Sequence, residues 1–245
     1  MSRQLKHLAQ QVIVITGATS RIGLATARMA ARQGAKLVLA ASNATTLDRL
    51  ATEIRQAGGV VLAVPVDVSA RDQVAHLGKV AMQRFGRVDT WINAGMTISE
   101  PDEIKPSTVA ARLLKAHYDG AAHGASVALS LMRQEGGAII NLDSEDCARH
   151  GVKGLTDTLR AGLDTDGATV SVTLVHAAAT GRADMHQAPR RVAEAILHAA
   201  QHPQCDVIVG AAAPVAAPSA RLAPRWRDRL MDLVTFRHPA KASYS

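Results

Sequence analysis

The sequence predicts one α/β domain, built as a doubly wound parallel sheet of about seven strands with helices on both faces. Short continuous apolar segments alternate about six times with amphipathic helical segments along the 245 residues. Strands that are apolar on both sides belong in a parallel sheet that is covered on both faces. Hydrophobic residues make up 47% of the chain, which supplies enough apolar surface for one core of this size and excludes wholesale disorder.

The strands are predicted from short apolar segments that turn residues bound on either side. They cover residues 12–16, 37–40, 60–64, 88–93, 138–142, 169–175 and 206–209. The helices between them run from the first glycine turn to about residue 33, through Leu47, Leu50 and Ile54, over 74–85, 106–132 and 189–200, with one more that ends near residue 163. Gly58 and Gly59 stop the second of these helices, as glycine commonly does just past a helix C-terminus.

Charge, aromatic content and cysteine count narrow the functional classes. The net charge is +7, but much of the basic excess lies in residues 221–241, so a basic tail follows a nearly neutral domain and no nucleic-acid partner is expected. Aromatic residues are 2% of the chain, too few for a base-stacking platform. The two cysteines, Cys147 and Cys205, imply neither a disulfide framework nor a zinc site, so no metal is expected.

The two ends of the chain bear on localisation and domain organisation. Residues 1–11 are polar, without an apolar signal region, and no segment has the length of a membrane span, so we expect a cytoplasmic protein. Residues 1–210 are assigned to the domain and 211–245 to an Ala/Pro-rich connector and a basic amphipathic tail. The tail is expected to pack on its own domain, with a partner subunit or an anionic membrane surface as the alternatives.

Sequence motifs with a chemical meaning stand at the ends of the predicted strands. Residues 16–23, TGATSRIG, directly follow the first strand and open a helix, which is where the pyrophosphate of a dinucleotide meets the amides of a helix N-terminus. Asp67-Val68 follows the third strand and Asn93-Ala94-Gly95 the fourth, while residues 138–144 carry the fifth strand through to Ser144.

These motifs, in this order and over about residues 10–210, resemble the short-chain dehydrogenase/reductase family. The resemblance implies a Rossmann-like fold that binds NAD(H) or NADP(H) at the carboxyl ends of its strands. It implies hydride transfer between the nicotinamide and an alcohol or carbonyl, and therefore a small-molecule substrate. It also implies a homodimer or homotetramer formed through the long fourth helix and the fifth.

The resemblance assigns the cofactor-binding residues. Gly17 and Gly23 would permit a tight turn and a close approach of the backbone to the pyrophosphate. Asp67 would contact the adenine amino group, unless it serves instead as a helix N-cap, a role that Ser69 also fits. Residues 93–95 would line the ribose and nicotinamide. The full set is Gly17, Thr19, Ser20, Arg21, Ile22, Gly23, Ser42, Asp67, Val68, Asn93, Ala94 and Gly95.

Two positions bear on which nucleotide is bound, and how well. Residues 40–43, after the second strand, contain no acid. An acid there would hold the ribose 2′-hydroxyl of NAD, so NADP(H) is expected rather than NAD(H). Ser42, in this segment, is expected to lie beside the cofactor. Arg21 stands where the family has its middle glycine. Its guanidinium could pair with a phosphate, or its side chain could occupy the space that the pyrophosphate needs, and both interpretations stay open.

The catalytic positions depart from the family. The family's reaction uses a serine, a tyrosine, a lysine four residues after the tyrosine, and an asparagine on the long helix. Aligned on residues 149–160, the tyrosine position falls on Glu145 and the lysine position on Arg149, while Ser144 keeps the serine. The asparagine position falls on His117. Ser144 and Glu145 are adjacent, whereas the family places a loop between its serine and tyrosine, so a loop is missing here.

His117 and Tyr118 lie on the long helix, where either could relay a proton if it turned inward, but both are interpreted as surface or subunit-interface residues. His150 and His176 are interpreted as isolated histidines. Two functions follow. One is an NADP(H)-dependent oxidoreductase for a small carbonyl or alcohol, impaired in its proton transfer. The other is a scaffold without redox chemistry that senses a nucleotide or binds a partner, which the short segment 177–188 favours because the family has a long substrate-binding segment there.

Overall fold

The strands form a single sheet in the order β3-β2-β1-β4-β5-β6-β7-β8 within the part of the chain that the structure describes. The computed structural model describes residues 5–94, 106–144, 149–166, 169–177, 188–209 and 215–216. The strands are β1 (Val12–Thr16), β2 (Lys36–Ala41), β3 (Val61–Pro65), β4 (Thr90–Asn93), β5 (Gly137–Ser144), β6 (Val170–Ala177), β7 (Asp206–Val209) and β8 (Val215–Ala216). The helices are α1 (Arg21–Arg32), α2 (Ala44–Gln56), α3 (Arg71–Phe85), α4 (Pro106–Met132), α5 (Arg149–Asp166) and α6 (Ala188–Ala199).

The predicted fold class is confirmed. Strands β1 to β7 are parallel, and β8 pairs antiparallel with β7. Strand β8 was not predicted, because two residues in an Ala/Pro-rich segment carry no strand signal. Helix α3 begins at Arg71, earlier than the predicted start at residue 74. None of the helices among the described residues combines the length and the apolarity that crossing a membrane requires.

Strand order decides where a ligand can bind. The chain adds β2 and β3 on one side of β1 and then returns to place β4 on its other side. In a doubly wound sheet such a reversal opens a crevice beyond the carboxyl ends of the two central strands. The crevice here lies beyond Thr16 of β1 and Asn93 of β4, which are register partners.

Two hydrophobic layers cover the faces of the sheet, because successive side chains of a strand point to opposite sides. Ile13 and Ile15 of β1 pack in one layer with residues of α1, α2 and α6. Val12 and Val14 pack in the other layer with residues of α3 and α4. Trp91 is fully buried in this second layer, and most of its other buried members are valine, alanine and leucine.

A buried chain of hydrogen bonds crosses the sheet near its carboxyl edge, and Asn93 is its centre. The Asn93 Oδ1 atom accepts from Thr16 Oγ1 (3.2 Å) and from Trp91 Nε1 (3.0 Å). The Asn93 Nδ2 atom donates to Asn141 Oδ1 at 2.9 Å. The Asn141 Nδ2 atom in turn donates to Thr156 Oγ1 on α5 at 2.9 Å. Polar side chains thus tie β1, β4, β5 and α5 together inside the core.

Gly124 on α4 makes room for this chain. A Cβ atom at position 124 would lie 2.2 Å from Asn93 Oδ1 and 2.7 Å from Trp91 Nε1. Neither atom can retreat without breaking a buried hydrogen bond, and an unpaired buried polar group is costly. The long helix therefore approaches β4 closely because residue 124 has no side chain.

We predict that Gly124→Ala destabilises the domain by roughly 2–4 kcal/mol, from overpacking and the loss of buried hydrogen bonds. The measurement is urea unfolding followed by circular dichroism. Gly154→Ala is the matched control, since Gly154 also lies in a helix and a Cβ atom there meets nothing within 4 Å. That control should gain up to about 1 kcal/mol from the better helix propensity of alanine. Equal stability of the two variants would contradict the close approach described for Gly124.

Candidate active site

The turn between β1 and α1 is shaped to leave helix amides exposed at the carboxyl edge of the sheet. Gly17 has φ of +66°, a conformation that glycine adopts without strain. Ser20 caps α1 by accepting the amide of Gly23 on its Oγ at 2.9 Å. A Cβ atom on Gly23 would lie 2.3 Å from the carbonyl oxygen of Gly17. The turn is thus closed tightly on the start of α1, whose first amides have no acceptor within the helix and favour an anion.

The remaining residues of the turn occupy different surroundings. Ile22 is 8% exposed and belongs to the hydrophobic layer under α1, so its side chain anchors the helix. Thr19 is half-buried, and Arg21 is exposed at the first position of α1. The side chain of Arg21 therefore lies on the surface of the protein.

Ser42 lies exposed beyond β2 and Asp67 beyond β3, on the same side of β1. Ser42 follows β2, and its neighbour Asn43 caps α2 by accepting the amide of Thr46 at 2.9 Å. The Asp67 Oδ1 atom accepts from the amide (2.9 Å) and the hydroxyl (2.7 Å) of Ser69. The N-cap of α3 is Ala70, without a side-chain hydrogen bond. Asp67 therefore orders a turn, and neither it nor Ser69 is the N-cap.

Val68 docks this turn onto α4. Its carbonyl oxygen lies 3.0 Å from His123 Nδ1, and since a carbonyl only accepts, this nitrogen carries the proton. A Cβ atom on Gly120 would lie 2.7 Å from Val68 Cγ2. The β3–α3 turn is thus held against the helix that also covers β4.

Asn93 and Ala94 are buried at the carboxyl end of β4. The Asn93 amide uses both lone pairs of its oxygen and both protons of its nitrogen inside the protein, the last in a 3.4 Å contact with the Ala121 carbonyl. Ala94 is 1% exposed, and its amide donates to Thr16. The Asn93 side chain therefore has no remaining capacity for a ligand, which the sequence alone did not reveal. Gly95 lies outside the described residues.

A small cavity of about 30 Å³ lies where these segments meet α4. It joins predicted cofactor positions to a predicted catalytic one. The lining includes Thr16, Gly17, Val68, Asn93, His117 and Gly120. A volume of this size holds a single water molecule or a ligand atom.

His117 is buried, so its interpretation as a surface or interface residue is wrong. It is 9% exposed and faces the carboxyl edge of the sheet from α4. Burial lowers the pKa of its imidazole, and this exceeds the opposing effects of a hydrogen bond to the Leu142 backbone and of the Asp143 charge. The helical phase of α4 decides this orientation. Tyr118, one residue later, is 42% exposed, as expected.

The other predicted catalytic positions are described only in part. Ser144 is the last residue of β5, in register with Ala177 of β6. Arg149 is the first residue of α5. Glu145 lies outside the described residues. The catalytic assignments of Ser144, Glu145 and Arg149 stay predictions.

His176 is not isolated, contrary to the sequence analysis. Its Nδ1 atom lies 3.1 Å from Asp143 Oδ2. The two residues are register partners on β5 and β6 and so point to the same face. Their sequence positions alone could not reveal this contact, because it depends on the register between two strands. Among the described residues no three His, Cys, Asp or Glu side chains are grouped as metal ligands.

We predict that His117 makes stability depend on pH. Burial lowers the pKa of His117 in the folded chain, whereas in the unfolded chain the imidazole has the ordinary histidine pKa of about 6.5. Just below this pH, the unfolded chain therefore binds a proton more readily than the folded chain does. The contribution of His117 is thus present above that pH and lost as the pH falls below it. Urea unfolding between pH 7 and 5 should show a shallower loss in His117→Gln than in wild type, by up to roughly 1.4 kcal/mol per pH unit. His198→Gln, at an exposed histidine of α6, is the control. Parallel curves for His117→Gln and wild type would contradict the prediction.

Comparison with known proteins places this geometry in a family. The family model of the short chain dehydrogenases matches residues 11–193. The uncharacterized oxidoreductase YxnA of Bacillus subtilis is 35% identical over 269 residues, which cover 95% of this chain and 74% of the relative. The D-beta-hydroxybutyrate dehydrogenase of Rhizobium meliloti is 32% identical over 174 residues, 64% of this chain and 67% of the relative.

Shorter matches agree. The uncharacterized oxidoreductase Lin0452 of Listeria innocua is 34% identical over 139 residues, which is 56% of each chain. The family match covers the glycine turn, the strands β1 to β6 and the start of α6. This chain belongs to the short-chain dehydrogenase/reductase family of oxidoreductases.

Proposed function

We propose that the protein binds NADP(H) at the carboxyl edge of its sheet and moves a hydride between this cofactor and a small carbonyl or alcohol, with impaired proton transfer. Membership of the family implies binding of NAD(P)(H). The observation that carries the proposal is the β1–α1 turn, where Gly17 adopts a positive φ, Gly23 leaves no room for a Cβ atom, and the start of α1 opens beside them.

The described residues fit a dinucleotide at this edge. The α1 amides offer an anion site for the pyrophosphate. Both hydrogen bonds from Ser69 go to the Oδ1 atom of Asp67, which leaves its Oδ2 atom to accept a hydrogen bond from the cofactor. The cofactor supplies the hydride when bound. The task of the chain is to hold it against the substrate and to move a proton.

The preference for NADP(H) is supported by charge. The segment after β2 ends in the exposed residues Ser42 and Asn43, with no acid among residues 40–43. An acid would repel a 2′-phosphate and bind a 2′-hydroxyl. Arg21, exposed at the first position of α1, adds a positive charge at the β1–α1 turn. We assign it to a cofactor phosphate.

A scaffold without redox chemistry is the second candidate. It is favoured by the replacement of the family's tyrosine and lysine by Glu145 and Arg149. Arginine does not deprotonate in proteins, and the two positions follow Ser144 without the usual loop. Such a protein would still bind the nucleotide, so turnover and binding have to be measured separately.

We predict that titration with NADPH gives a dissociation constant in the micromolar range, tighter than that for NADH. Gly23→Ala should weaken NADPH binding about 100-fold, or roughly 2.7 kcal/mol, because its Cβ atom would displace the Gly17 carbonyl. Gly162→Ala is the matched control, a helical glycine with open space around it. Calorimetry is the measurement. Failure of the wild-type protein to bind either nucleotide at millimolar concentration would refute the proposed function.

We predict that Arg21→Gly weakens NADPH binding about tenfold, the loss expected of one charge-assisted contact, and that it affects NADH less. Arg21→Lys should retain part of the affinity, because lysine keeps the charge without the planar fork. The same calorimetric titration measures both variants. Tighter binding by Arg21→Gly would show instead that the arginine obstructs the pyrophosphate.

A further inference from the structure

Asp143 and His176 form a buried acid–imidazole pair at the carboxyl ends of β5 and β6. Their side chains are 1% and 15% exposed, and 3.1 Å separates Asp143 Oδ2 from His176 Nδ1. Asp143 immediately precedes Ser144, the last residue of β5. The pair therefore lies at the edge of the sheet where the family carries out its chemistry.

The contact determines which imidazole nitrogen is available. An ionised carboxylate only accepts hydrogen bonds, so His176 Nδ1 must carry the proton that lies between them. The Nε2 atom is then a lone-pair acceptor in the neutral ring and a donor in the charged ring. The pair holds its imidazole in one tautomer, with Nε2 as the atom that can gain or lose a proton.

The groups around the pair determine how the negative charge of the buried Asp143 carboxylate is offset. Asp143 Oδ1 is buried and has no hydrogen-bond partner within the described part of the chain. His117 on α4 interacts electrostatically with the Asp143 charge. On the side of His176 away from Asp143, its register partner is Ile208 of β7. On α5, Lys153 is exposed and pairs with Asp157 at 2.7 Å. Two described histidines, His117 and His176, thus interact with this carboxylate, and a buried carboxylate needs a cation or donors to offset its desolvation.

We propose that His176, oriented by Asp143, is the proton-transfer group of this chain in place of the family's tyrosine. This rests on the proposed function. On reduction, bound NADPH would supply the hydride for the new C–H bond and would itself be oxidised to NADP⁺, while the carbonyl π pair would move to the oxygen. His176 Nε2 gives its proton to that oxygen and keeps the N–H electron pair, and solvent then reprotonates the ring. Oxidation of the alcohol reverses each transfer.

A histidine suits this task better than the residues at the family's positions. Its ordinary pKa lies near neutrality, so it can both give and take a proton in the working range. Arg149 does not release its proton. Asp143 stabilises the charged ring and holds its tautomer without being protonated itself, as a carboxylate does beside other catalytic histidines. Asp143 is therefore a positioning residue.

The first test is independent of turnover. Protein labelled with ¹⁵N-histidine is examined by NMR, and the His176→Gln variant identifies the His176 signals. Wild type should show one His176 tautomer, protonated at Nδ1, and Asp143→Asn should lose this single tautomer. His198→Gln, at an exposed histidine, should leave the His176 signals unchanged. The same His176 tautomer in wild type and Asp143→Asn would overturn the role of Asp143.

The second test separates binding from chemistry. NADPH affinity should stay within about twofold in His176→Gln, while its kcat for reduction of small aldehydes and ketones should fall about 100-fold, as for loss of a general acid. Asp143→Asn should lower kcat and shift the pH–rate profile, and His198→Gln should match wild type. Binding of NADPH with equal turnover in wild type and His176→Gln would overturn this assignment alone. Binding without wild-type turnover would overturn it together with the redox function, and absence of binding would refute the proposed function at its first step.

Discussion

The side-chain amide of Asn93 is the interaction on which the carboxyl edge of this protein depends. Its oxygen accepts from β1 and β4, and its nitrogen donates to β5 and to the α4 backbone. All four bonds form in the core, where each unpaired polar atom would cost free energy. They fix the strands on both sides of the crevice relative to the long helix. Gly124 permits that helix to come close enough, so one amide and one missing Cβ set the geometry of the site.

One face of β5 carries both a member of the buried hydrogen-bond chain and a member of the proposed catalytic pair. Asn141 and Asp143 are two residues apart, so they point to the same side of the sheet. Asn141 completes the buried chain by donating to Thr156, and Asp143 holds His176 one step nearer the edge. The amide chain is neutral, and its members are hydrogen-bonded to one another, whereas the Asp143–His176 pair consists of two ionisable side chains. Strand β5 thus places a neutral buried network directly beside an ionisable pair.

The sequence predicts the fold well because its signals are local. Each strand is a short apolar segment, and each glycine turn lies next to the strand that it follows, so the order of elements can be derived residue by residue. The turn at Gly17 and Gly23 is predicted for the same reason. Contacts of the site are different in kind. The pairing of Asp143 with His176 depends on strand register, and the burial of His117 on the rotation of α4, and neither is encoded by neighbouring residues. Asn93 was predicted to line the ribose and nicotinamide. It lines the cavity at this edge, while its amide is bonded to the surrounding strands and to the α4 backbone.

Under the proposed replacement of the family's tyrosine and lysine by Glu145 and Arg149, the imidazole of His176 still lies at this edge to move a proton. Hydride transfer to a carbonyl leaves charge on oxygen, and a nearby acid must neutralise it. The family's tyrosine acts with a lysine that lowers its pKa, whereas a histidine needs only a partner that holds its tautomer. Asp143 is such a partner, and its burial protects the interaction from solvent screening. In the proposed mechanism, one acid–imidazole pair between two neighbouring strands therefore takes the place of a catalytic unit that the family builds from a loop and a helix.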